Sequence, residues 1–132
     1  MPELDWDLTE FVEVLEVLPQ SEEYGTEHRF CVGKDGMRLE VSVWPHESVV
    51  SIDLYREGVS HPVISSALFV RGSAERVKDR GGEYLRLRDS VVAPSRFSYL
   101  DFEEGLHDTE STPCGLTVRL AVNPQIRVEY ER

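Results

Sequence analysis

Between Met37 and Arg56 apolar and polar residues alternate with a period of two, and no other feature restricts the fold as tightly. Met37, Leu39, Val41 and Val43 alternate with Arg38, Glu40 and Ser42. After Pro45-His46-Glu47-Ser48 the alternation resumes, with Val50, Ile52 and Leu54 on one side of Val49 to Arg56. A period of two is that of a strand with one buried face, whereas a helix repeats every 3.6 residues. The two segments and their short connection therefore predict an antiparallel hairpin.

Similar grammar runs through most of the chain. Glu27 to Val32 reads as a strand after a polar loop from Gln20 to Thr26, and Lys34-Asp35-Gly36 as a turn. Val63 to Lys78 reads as one long strand in which Gly72 marks a bulge or bend. Glu83 to Arg88 follows the turn Asp79-Arg80-Gly81-Gly82, and Ser90 to Ala93 extends it as far as Pro94. Arg96 to Phe102 reads as a further strand, and Leu116 to Val122 with Ile126 to Tyr130 as a closing hairpin. Leu4 to Leu18 is different. At about 100° per residue, Leu4, Leu8, Phe11, Val12, Val14, Leu15 and Leu18 gather on one side, with Glu10, Glu13 and Glu16 opposite. Asp7-Leu8-Thr9-Glu10 has capping-box spacing and Pro19 is a natural stop.

The expected fold is thus mainly β (α+β). It is a single antiparallel β-sandwich or barrel-like domain of about eight strands. An amphipathic helix over 4–18 precedes a sheet region over 27–131. The 132 residues suit one domain that buries its own core. No apolar run approaches the roughly 18 residues of a membrane span, and the acidic first residues lack the basic and apolar regions expected of a secretory signal. Two cysteines are too few for a disulfide framework, so a reduced, cytoplasmic setting is expected.

Charge narrows the partners. Fourteen Lys and Arg against 25 Asp and Glu leave −11. Nine acids and no Lys or Arg lie before His28, and five acids and no base lie between Arg96 and Arg119. Such a chain is repelled by nucleic acid and anionic lipid, and the expected partner is a protein, of basic character. Solubility alone is the plain alternative. Arg71 to Arg96 is the exception, with seven bases and four acids. If the strands on either side of Arg80-Gly81-Gly82 pair, Arg76, Lys78, Arg86 and Arg88 form a basic stripe beside Tyr84. Glu75, Asp79, Glu83 and Asp89 argue instead for cross-strand salt bridges.

Motifs for common chemistry are missing: no phosphate-binding glycine loop, GxSxG, HExxH or CxxC occurs. No cofactor is expected. His28 and Cys31 fall on opposite faces of their strand, and Cys31, between Phe30 and Val32, reads as core packing. The segment Glu103 to Gly115, 13 residues long, is the candidate site for chemistry. His107, Asp108 and Cys114 offer ligands for a zinc ion, and Asp101, Glu103, Glu104 and Asp108 offer oxygens for calcium. Cys114 with His107 as base would be the nucleophile of a thiol enzyme. A mobile acidic loop is the plain alternative.

The first function class these features support is a non-enzymatic module that recognises a protein partner. Glu10, Glu13, Glu16, Asp101, Glu103, Glu104, Asp108 and Glu110 are its candidate contact residues. A sharper form is an acidic inhibitor or immunity-type protein that masks a basic or nucleic-acid-binding enzyme. A small metal- or cysteine-dependent enzyme using the 103–115 loop is the alternative from another class. A homo-oligomer joined through strand edges is a further one.

Overall fold

The computed structural model describes residues 3–93 and 115–132. One helix, α1 (Leu8–Leu15), leads into β1 (Gln20–Ser21), β2 (His28–Lys34), β3 (Met37–Trp44), β4 (Val49–Arg56) and β5 (Ile64–Val70). Then come β6 (Ala74–Asp79), β7 (Gly82–Ala93), β8 (Leu116–Ala121) and β9 (Arg127–Glu131). Among the described residues all the strand pairs are antiparallel, in one sheet of order β1-β2-β3-β4-β5-β7-β8-β9, with β6 added beside β7. The mainly β fold with one N-terminal helix is as the alternation predicts, and the sandwich-or-barrel alternative takes the form of one continuous sheet.

The period-two hairpin folds with its expected limits. Leu39 faces Leu54, Val41 faces Ile52 and Val43 faces Val50 across β3 and β4. These side chains join Phe30, Leu68, Val70, Leu85, Leu87, Val118 and Leu120 in one buried cluster under α1. The helix contributes Phe11, Val14 and Leu15, and the Phe11 ring lies 5.7 Å from Phe30 and 5.1 Å, edge on, from Trp6. Val49, Ala67, Phe69 and Val91 are also buried but lie outside that cluster, on the alternate face of the sheet. Burial on both faces explains why Ala67-Leu68-Phe69-Val70 is apolar throughout.

The expected long strand from Val63 to Lys78 is two strands, β5 and β6, joined by a corner at Arg71-Gly72-Ser73. Both pair with β7, whose 12 residues serve β6 with Leu87 and before and β5 with Ser90 and beyond. Backbone bonds lock the corner: Gly72 N–H donates to Arg88 O at 3.1 Å and Arg88 N–H to Ser73 O at 2.9 Å. A methyl group on Gly72 would sit 2.7 Å from Arg88 O. This position needs glycine for close approach, a stronger demand than a bend alone.

The helix is shorter than the 4–18 stripe predicts. Asp7 is its N-cap, itself extended and accepting from Thr9 N–H at 2.9 Å. Leu4 N–H donates to Pro45 O at 2.9 Å and Asp5 bridges Ser73 in parallel. Backbone pairing thus claims the first turn of the stripe. At the other end Glu16 is left-handed, with φ at 60°, so the chain turns away and Leu18 is exposed instead of buried. Two residues of the expected polar loop, Gln20 and Ser21, pair with Arg29 and His28 as β1. Cys31 is exposed and faces Glu40, because Phe30 and Val32 occupy the inward positions of β2. The expected strand Arg96 to Phe102 lies outside the described residues.

The two ends of the curled sheet meet through Lys34. Its ammonium donates to Val122 O at 2.8 Å and to Asn123 Oδ1 at 2.5 Å. Asn123 Nδ2 in turn donates to Glu16 Oε1 at 2.7 Å, so helix end, hairpin turn and the β8–β9 connection form one clip.

Gly72→Ala should lower stability by about 1–3 kcal/mol in urea unfolding, since backbone must move to admit the methyl group. Gly33→Ala, with nothing within 4 Å of its added carbon, should leave the midpoint nearly unchanged.

Candidate functional site

The acidic residues of the helix face the sheet as well as water. Arg76 on β6 lies on the same strand face as buried Ala74 and so points toward α1. Its backbone N–H donates to Glu10 Oε2 at 3.0 Å, and its guanidinium bonds Glu13 and pairs with Glu83 at 2.8 Å. Glu16 accepts from Asn123. Glu10, Glu13 and Glu16 therefore all hold contacts within the fold, while Glu13 keeps 45% of its side chain in water.

The register also decides the fate of the basic segment. Arg76 pairs with Leu85, and Glu75 pairs with Arg86. Since Leu85 is buried, Arg76 and Arg86 stand on opposite faces, and the stripe of Arg76, Lys78, Arg86 and Arg88 does not form. Cross-strand pairs take its place. On the outer face Glu75, Arg86, Arg119 and Glu129 stand in one row across four strands. Arg86 pairs with Glu75 at 2.5 Å, Arg119 bonds Glu131, and Arg127 pairs with Glu129 at 3.2 Å. Beside this row a cleft of about 260 Å³ is lined by Asp79, Gly81, Tyr84, Arg119, Ala121, Arg127 and Glu129. Tyr84 Oη donates to Asp79 Oδ2 at 3.1 Å, and the Arg119 guanidinium lies 5.9 Å from the Tyr84 ring centre. Glu131, and then Tyr84, make Arg119 hold its proton more tightly than an ordinary arginine. The arrangement presents internally matched charge to an approaching surface.

A different surface borders β1. Leu18 is 81% exposed and Tyr24 is 82% exposed, on either side of the strand. The helical periodicity places Leu18 in the buried stripe, and Tyr24 lies unassigned in the polar loop. An aromatic residue flanked by Glu23 and Gly25 was the signal available. His28 and His46 have local partners: His28 Nδ1 lies 2.7 Å from Ser21 Oγ, and His46 Nδ1 lies 3.1 Å from Glu3 Oε1. Asp101, Glu103, Glu104, His107, Asp108, Glu110 and Cys114 lie outside the described residues. Among the described residues no three His, Cys, Asp or Glu side chains converge as a metal site, and no helix is long and apolar enough to cross a membrane.

No family model matches this chain, and no curated protein matches it in sequence. Among solved structures it is similar to a chain of the "Contact-dependent growth inhibition toxin - immunity protein complex from Klebsiella pneumoniae 342". The TM-score is 0.64 at 10% identity, over 99% of this chain and 98% of that one. At that identity the likeness is one of fold.

The Arg76–Glu13 pair should show a coupling of about 0.5–1 kcal/mol in a double-mutant cycle of Arg76→Ala and Glu13→Ala, shrinking as salt is raised. Additive losses would mean that the pair holds the helix only by packing.

Proposed function

We propose that this chain is an immunity-type inhibitor, a recognition module that binds a protein toxin and masks it. The observation that carries this reading is the likeness of fold, end to end, to a chain from a toxin–immunity protein complex. The charge supports it independently. A net charge of −11, with the nine acids before His28 and five more between Arg96 and Arg119, gives a long-range field that draws in a basic partner. In this reading Glu10, Glu13 and Glu16 act through that field while holding the helix. Asp101, Glu103, Glu104, Asp108 and Glu110 add to it by composition. Inhibition then needs no chemistry from the inhibitor, only a rigid surface that occludes the toxin's working face. We propose the cytoplasm as the place where it acts.

Affinity capture of the tagged chain from its own cells, followed by expression of the captured protein alone, tests this. The captured protein should arrest growth alone and be harmless when this chain is co-expressed, and binding should associate more slowly as salt rises. Arrest that co-expression does not relieve would contradict the proposal.

A further inference from the structure

Resting on the immunity reading, we infer that the edge of the sheet around β1 is the surface that meets the toxin, with Leu18 and Tyr24 as its apolar anchors against a basic protein face. The first ground is exposure. Leu18 and Tyr24 leave 81% and 82% of their surface in water, the largest such values among the exposed large hydrophobic residues described. With so much surface in water neither side chain is held by the core, and tyrosine is among the residue types enriched where interfaces gain most of their energy.

The second ground is order. The Tyr24 loop is held by Glu22 N–H to Glu27 O at 3.0 Å, Gly25 N–H to Glu22 O at 2.9 Å and Thr26 Oγ1 to Glu22 Oε2 at 2.5 Å. Gly25 takes the left-handed turn at φ 69°, and β1 is paired to β2. Anchors presented on a preformed turn lose little conformational freedom on binding.

The third ground is charge, and it selects the occupant. From Glu16 to Glu27 there are four glutamates and no Lys or Arg, and Arg29, opposite Gln20 across β1 and β2, lies 4.0 Å from Glu27, so the edge stays net acidic. A nucleic acid or an anionic membrane is repelled there. A second copy meeting this edge symmetrically would bring the two acidic segments together. A basic protein surface with an apolar recess gains from both the field and the anchors.

The test uses the full chain and the toxin captured on the unaltered chain, purified, as the probe. Leu18→Ala/Tyr24→Ala and Glu22→Gln/Glu23→Gln are compared with the unaltered chain by interferometry at low and high salt. The first variant should raise Kd by about thirtyfold or more, chiefly through koff. The second should slow kon several-fold at low salt, with the difference fading at high salt. Thermal midpoints should be unchanged for the first variant, because its side chains are exposed. Toxin binding by the first variant with an unaltered Kd would overturn this surface and leave the immunity reading standing. An acidic toxin would also overturn it, and capture of no toxin at all would overturn both.

Discussion

The fold depends on one eight-residue helix covering the inner face of a curled sheet. Phe11 is the centre of that contact, fully buried between Trp6 and Phe30. A buried aromatic of this kind is worth about 3–5 kcal/mol against alanine, a large share of the stability of a small domain. A sheet with apolar side chains on its inner face cannot leave them in water, and α1 is the only helix among the described residues. The elements around it are arranged to keep it there. Arg76 ties its acidic side to β6, the bridge between Asp5 and Ser73 fixes its entry, and the Lys34–Asn123–Glu16 clip fixes its exit.

That arrangement gives the helical glutamates two duties. Within the fold they meet a guanidinium and an amide, in partly exposed pairs worth little individually. Toward solvent their charge acts over several ångströms without contact. In the immunity reading proposed above, steering falls to a broad field and anchoring to a few apolar side chains. The outer face of β6 to β9 contrasts with this. Its arginines and glutamates are matched to one another, which leaves little net field and blunts the charged edge strand β9.

Much of the fold was legible in the sequence where local rules act alone. The β3–β4 hairpin had its limits written in strict alternation, and Asp7 announced the helix cap. Gly72 marked the corner, although a glycine cannot say whether a strand bends or ends, and pairing with β7 decided that it ends. The helix terminus was not legible, because a glutamate in the left-handed region gives no sign of it in composition. Nor was the split of Arg76 from Arg86, since only the β6–β7 register assigns them to opposite faces. Cys31 misled because apolar neighbours suggest burial, whereas alternation makes those same neighbours the buried ones. At the candidate surface, charge was legible and exposure was not. Tyr24 carries no pattern, and Leu18 fits the helical stripe until the turn at Glu16 and the pairing of β1 set both in water.

In the proposed reading this fold works as one half of a complex. Native mass spectrometry of the assembly captured from its own cells tests that most directly. The expected assembly is one copy of this chain with one copy of a basic protein, separating as salt is raised. The chain alone, or bound only to further copies of itself, would contradict it.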